Sequence, residues 1–193
     1  VAMLLEFSRA RSLTLLQRQQ CAGCMQRAVL TMPPGASCLL ANLFLLMAGL
    51  VLPWHRRRTT KKERSNYGFF ADVLQFNLGR GYFAFDKFGE SLGVLSDASK
   101  SAAYAGGGWL SRCGLHDYWS YGAKAKRKPI DFLEGDTVVH CLESMGGRWR
   151  KEWVPFGVDN QAFQKSALKG WSRAERLTLL LQRMFVLQIR FEC

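Results

Sequence analysis

Residues 156–172 read FGVDNQAFQKSALKGWS. The apolar run Val154-Pro155-Phe156-Gly157-Val158 stops at an acid, Asp159, and a polar segment with helical spacing follows. An acid at the carboxyl end of a buried strand is either a turn or helix-capping residue or a ligand, because sites in α/β sheets are built at the open ends of strands. The choice between these depends on whether other carboxylates stand in comparable places.

Upstream, the texture is β. Ser91–Asp97 (SLGVLSD) reads as a strand ending on an acid, Tyr104–Leu110 (YAGGGWL) as a glycine-rich second strand and Tyr118–Tyr121 as a third. Their close spacing and intervening turn residues predict an antiparallel meander. Lys124–Lys128 (KAKRK) then leads into Pro129, a good first helical residue. Positions 130, 133, 134, 137, 138, 141, 142 and 145 share one helical face, and Glu134 falls on that stripe while Asp131 and Glu143 lie well off its centre. A carboxylate facing inward is costly unless its charge is offset. Glu134 therefore either reaches water at the edge of the stripe or meets a metal ion or a base.

Downstream of Asp159, Gln161–Lys169 reads as a helix ended by Gly170. Ser172 caps a last helix to about Phe185, with Leu177, Leu180, Leu181 and Met184 as its core side. Leu187–Glu192 alternates apolar and polar residues and reads as a strand. The order is thus β-β-β-α-β-α-α-β, with Asp97, Glu134 and Asp159 on three separate elements. Three converging carboxylates are what two Mg²⁺ ions need to activate a water and stabilise a leaving oxygen at a phosphodiester. As a member of that set, Asp159 reads as a ligand rather than a cap.

The first part of the chain reads as helical. Ser12–Leu30 has Leu13, Leu16, Cys24 and Ala28 roughly on one side, and Met32-Pro-Pro-Gly35 breaks it. Ala36–Leu52 is the most apolar run and is followed by His-Arg-Arg-Arg. Its 17 residues, Ser37 and Asn42 among them, stand at the bottom of the membrane-spanning range and suit a buried core helix as well. His55–Arg64 (HRRRTTKKER) is either a solvated helix start or a contact for phosphates, with Thr59 or Thr60 capping a helix to about Asn77. Residues 79–90 read as a linker. Six cysteines at irregular spacings with no signal peptide before them point to reduced thiols in an intracellular protein. Cys21-Ala-Gly-Cys24 has no second ligand pair and reads as packing. The chain begins with Val and ends inside a patterned segment, so a piece of a longer polypeptide is expected.

Charge names the class of partner. There are 27 Lys+Arg against 15 Asp+Glu, a net +12, spread as +3 over 1–50, +4 over 51–90 and +5 over 91–193. Such an excess fits nucleic acid or an anionic membrane face. The 48% hydrophobic content excludes a disordered chain.

LSDASKS with GGGWLS behind it, PIDFLEG, and FGVDNQAF followed by KGWS resemble the ribonuclease H domain of retrotransposon polyproteins, in particular the DIRS-like tyrosine-recombinase elements. The likeness covers roughly residues 80–193; more weakly, residues 12–78 resemble the helical thumb and connection of the reverse transcriptase in those elements. It implies an α/β (α+β) fold in which residues 91–193 form a ribonuclease H-like mixed five-stranded sheet with flanking helices, incomplete at its C-terminus. An all-helical segment, residues 1–78, would precede it, with Ala36–Leu52 packed rather than membrane-spanning. It also implies hydrolysis of the RNA strand of RNA–DNA hybrids by two Mg²⁺ or Mn²⁺ ions on Asp97, Glu134 and Asp159. The partners implied are the hybrid and an upstream polymerase region, in the cytoplasm or nucleus and with no membrane. Candidates for the nucleic-acid track are Arg56, Arg57, Arg58, Lys124, Lys126, Arg127, Lys128, Asn160, Lys165 and Lys169. The family's fourth acid, on a helix after the fifth strand, has no counterpart in this sequence, which implies weakened metal binding or an inactive site.

Overall fold

The computed structural model describes residues 1–30, 32, 36–40, 43–77, 93–150, 152 and 154–191, without the side chains of residues 45, 76 and 77. The expected linker, 79–90, lies outside the described residues. The chain divides into two units, Val1–Tyr82 and Phe83–Cys193.

In the first unit the helices are α1 (Ala2–Arg9), α2 (Leu15–Val29), α3 (Leu43–Met47) and α4 (Lys61–Asn77). The segment is not all-helical as expected: β1 (Ser12–Thr14) and β2 (Arg56–Arg58) pair antiparallel, with Leu13 opposite Arg57. The reason is local. Thr14 and Gln17 form a reciprocal capping box at the start of α2, which holds the residues before it extended. Extended backbone needs a hydrogen-bonding partner, and residues 56–58 supply it. At the start of α4, the Thr60 hydroxyl accepts from the Glu63 amide at 3.0 Å.

The buried side of α2 is Leu15, Arg18, Cys21, Ala22 and Met25, not the Leu16/Cys24/Ala28 side that the apolar pattern favoured. An arginine sits in the middle of the true stripe and hides it from a hydrophobicity reading. Arg18 is buried because Glu63 is buried against it: Nε and Nη2 meet the two carboxylate oxygens at 2.8 and 3.2 Å. The apolar run 36–52 is not one helix either. Its described part is a 3-10 turn (Ala36–Leu39) and the short α3, followed by Gly49 with φ 78°. Among the described residues no helix is long and apolar enough to cross a membrane.

The second unit is a mixed four-stranded sheet of β3 (Val94–Lys100), β4 (Ala105–Ser111), β5 (His116–Ser120) and β6 (Phe156–Val158), with α5 (Ala123–Lys126), α6 (Ile130–Met145), α7 (Gln161–Lys169) and α8 (Glu175–Phe191). The strand order is β5-β4-β3-β6, a meander with β6 added parallel to β3. Alternate residues of the sheet point at α6, so Ala98, Ala105 and Tyr121 enclose Leu133. Helix α6 spans the stripe its periodicity predicts, with Pro129 as its N-cap rather than its first helical residue, and it is buried on two sides. Gly135 and Val139, off the sequence-visible stripe, are buried too. A Cβ on Gly135 would stand 2.5 Å from the Phe163 ring of α7 and 3.0 Å from Leu180 of α8.

The helix sits close to the sheet because β4 offers a glycine at the contact. A Cβ on Gly107 would stand 2.6 Å from the Thr137 hydroxyl and 2.9 Å from the Trp119 ring. Gly107→Ala is therefore expected to cost about 1–3 kcal/mol by overpacking, read as a lowered urea midpoint. A midpoint equal to wild type would show that α6 can move away from β4 freely.

The expected fifth strand over residues 187–192 is a correction. Helix α8 continues to Phe191, and Leu187 is buried on it. Positions 187 and 191 alternate with polar neighbours, but they are also four apart, so both patterns fit the same residues. Continuity with the Leu177/Leu180/Leu181 side decides for the helix. Among the described residues the sheet has four strands.

Candidate metal-binding acidic site

Strand β3 belongs to both halves of the sheet. The meander grows from one of its edges and β6 joins the other, so the order reverses between β3 and β6. In open α/β sheets that reversal leaves a crevice at the carboxyl ends of the strands. The β3–β6 ladder runs Val94↔Phe156, Leu95↔Gly157 and Ser96↔Val158, and continuing it by one residue sets Asp97 opposite Asp159. Asp97 does not close its strand, as the sequence suggested. It lies mid-strand, because pairing with β4 carries β3 on to Lys100. What ends at Asp97 is the pairing with β6.

Glu134, one turn into α6, joins the two aspartates. One carboxylate oxygen from each of Asp97, Glu134 and Asp159 lies within 4.8 Å of the others; the aspartates are exposed and Glu134 is buried. Asp159 is not the cap of the following helix. Asn160 fills that place, its Oδ1 accepting from the Phe163 amide at 3.0 Å. The Glu134 carboxyl is pushed up to about 7, first by burial and then by the charges of Asp159 and Asp97, with a hydrogen bond from the Ala98 backbone drawing it partly back. Its Oε2 is buried with no hydrogen-bond partner, as are Ser96 Oγ and Trp109 Nε1. A buried carboxylate oxygen left unpaired beside two further carboxylates suits a hard divalent cation, for which an all-oxygen set of this kind is the preferred ligand class.

The raised Glu134 carboxyl gives a pH dependence. Its folded value, about 7, exceeds its ordinary 4.5, so the stability it favours is complete below the unfolded value and is lost as pH rises through the folded one. In EDTA, unfolding free energy is expected to fall by about 2 kcal/mol from about pH 5 to about pH 8. Glu134→Gln should flatten that profile. A profile equally steep in the variant would assign the dependence to other groups.

The structure places the sequence-nominated cations as follows. Lys124 and Lys126 lie on α5, and Arg127 and Lys128 follow it. Lys126 Nζ donates to the Ala103 carbonyl at 2.9 Å, Lys100 Nζ donates to the Lys128 carbonyl at 2.6 Å, and Lys128 Nζ stands 5.3 Å over the Phe132 ring. Lys165 and Lys169 are exposed on α7. Asn160 spends its side-chain carbonyl on the α7 cap. Arg56, Arg57 and Arg58 form β2 in the first unit. His140 packs edge-on to Trp119, with ring centroids 4.0 Å apart and Nε2 3.8 Å from Asp117, outside the acidic cluster.

Sequence reading missed the surroundings of Asp97. On the sheet face turned away from Ala98 and Leu133, the strand opens onto a shallow groove of about 550 Å³ lined in part by Leu95, Gly106, Gly108, Leu110 and Tyr118. The glycine run of residues 106–108 was the available signal, since side-chain-free positions leave space above a sheet. Compared with protein-family profiles, with characterised proteins and with solved structures, the chain matches none.

Proposed function

We propose that the second unit is a ribonuclease H-type nuclease that hydrolyses the RNA strand of RNA–DNA hybrids, as part of a retrotransposon reverse transcriptase polyprotein. The observation that carries this reading is the convergence of Asp97, Glu134 and Asp159 within 4.8 Å at the β3/β6 crevice. Those three residues would hold Mg²⁺ or Mn²⁺. Bound there, a pair of such ions supplies a water activated near neutral pH and charge stabilisation at the phosphodiester.

The protein's own part is placement. Asp97 and Asp159 come from neighbouring parallel strands, whose separation the backbone ladder fixes. Glu134 comes from a helix held tightly to the sheet through Gly107 and Thr137. Its carboxyl, raised to about 7, is within reach of either protonation state at neutral pH. It would have to give up its proton to hold a cation, so metal affinity should rise with pH. The groove beside Asp97 is open to solvent along the strand, which fits a polymer laid across a sheet better than an enclosed small molecule.

The test is cleavage of a labelled RNA–DNA hybrid across a Mg²⁺ and Mn²⁺ titration, with Asp159→Asn alongside. Metal-dependent cutting that the variant loses supports the nuclease. Hybrid binding with no cutting at any metal concentration overturns the catalytic reading and leaves a nucleic-acid-binding remnant of the same fold.

A further inference from the structure

The acids are in the second unit, yet a run of three consecutive arginines lies in the first. Arg56, Arg57 and Arg58 are the whole of β2, and strand alternation sorts them. Arg57 is opposite the buried Leu13, and its guanidinium donates to the carbonyls of Ala48 at 2.9 Å and Leu46 at 3.5 Å. It is an anchor for the strand. Arg56 and Arg58 point the other way, opposite Thr14 and Ser12, and both are exposed. Among the described residues neither guanidinium has a hydrogen bond or ion pair.

The backbone beneath this pair is fixed. Arg18, 2% exposed, donates to the Leu13 carbonyl on β1 at 3.0 Å and to the Arg57 carbonyl on β2 at 3.2 Å. One buried side chain thus clamps both strands, and Glu63 holds that side chain in turn. Alternate residues on an extended strand stand roughly 6.8 Å apart. That is comparable to the spacing of neighbouring phosphates along one nucleic-acid strand. Guanidinium is the group suited to planar, two-point recognition of phosphate. Trp54, 68% exposed and two residues before Arg56, adds an aromatic face of the kind on which bases stack.

We propose that Arg56 and Arg58 form a metal-independent anchoring site for the phosphate backbone of a polynucleotide, separate from the three acids. A rigid, evenly spaced pair suits a polymer of evenly spaced anions; a fluid lipid surface asks for no such spacing. The choice of nucleic acid among polyanions rests on the nuclease reading given above.

The experiment measures binding of the full chain to a fluorescent RNA–DNA hybrid in EDTA as KCl is varied, so that no cleavage enters. Arg56→Ala/Arg58→Ala is expected to make the slope of log affinity against log salt shallower by roughly 1.4–1.8, and to weaken binding at low salt at least about tenfold. Each single substitution should account for about half of the slope change, which keeps the series readable if the double variant fails to fold. Arg9→Ala/Arg27→Ala, an equal loss of charge elsewhere in the unit, should leave the slope at the wild-type value. An unchanged slope in folded Arg56 and Arg58 variants overturns the proposal. So does a wild-type chain that ignores the hybrid but binds vesicles of phosphatidylcholine with phosphatidylserine. A wild-type chain that never cuts the hybrid with Mg²⁺, yet shows the slope change, would fail the nuclease reading and leave this site standing.

Discussion

Asp97→Asn and Asp159→Asn are each expected to lower Mg²⁺-dependent cleavage of an RNA–DNA hybrid by about 10²–10³ while leaving the fold intact. The substitutions keep shape and remove one negative charge from a cluster whose members lie within 4.8 Å. Both aspartates are exposed, and the asparagine amide keeps a group able to hydrogen-bond the buried Glu134. Without a cation the three carboxylates repel one another, which is part of why Glu134 is raised to about 7. In EDTA the same variants should therefore be as stable as wild type or more so. Activity down with metal-free stability flat or up separates loss of a ligand from loss of structure. Either variant cutting at the wild-type rate would remove that residue from the site.

Glu63→Ala is expected to destabilise the first unit by about 3–5 kcal/mol, measured by urea unfolding with a probe in that unit. Both members of the pair are almost wholly inaccessible, Arg18 at 2% and Glu63 at 1%. The carboxylate takes two guanidinium hydrogen bonds and a third from the Tyr67 hydroxyl at 3.1 Å; burial first, and then the Glu63 charge, push the Tyr67 phenol well above its ordinary range. Removing Glu63 leaves a guanidinium in an apolar interior with only the Leu13 and Arg57 carbonyls. Replacing both partners, as Arg18→Met/Glu63→Leu, should recover most of the loss, because the net worth of a buried pair over apolar residues of similar volume is small. A single variant that loses less than about 1 kcal/mol would mean that water reaches Arg18. Since Arg18 also clamps β1 to β2, Glu63→Ala should weaken hybrid binding in EDTA as well.

These two results would test the parts of the molecule that its sequence showed unequally. The three acids were legible because each stands beside a strong local pattern: a strand, an amphipathic helix, a strand followed by a helix. Helix α6 was legible almost to the residue, since Ile130–Met145 carries a helical stripe between Pro129 and Gly146, with Pro129 serving as the N-cap rather than the first helical residue. Their shared register was not legible. That Asp97 falls opposite Asp159 depends on a parallel pairing between segments far apart in the chain, which no local pattern encodes. The pair β1 and β2 was hidden for the same reason, each strand being only three residues long. On α2, Arg18 disguised the buried side by filling it with a charge. At the end of α8, alternation and helical spacing coincide at Leu187 and Phe191, and only packing against the preceding leucines separates them.

The ladder that holds β6 to the sheet is short, and its brevity gives the acids a second consequence. Three rungs join β6 to β3, and the fourth position pairs two like charges instead of two peptide groups. The strand is thus fastened by hydrogen bonds at one end and carries like charges at the other. Were Asp97 and Asp159 to hold a cation, as the proposed function requires, the repulsion at that position would be offset and the folded unit stabilised by about 2.7 kcal/mol at a hundredfold excess over its dissociation constant. Amide hydrogen exchange at Gly157 and Val158 should then slow when Mg²⁺ is added and recover in EDTA. The edge of the sheet would then be held most firmly when the chemistry that needs it is supplied.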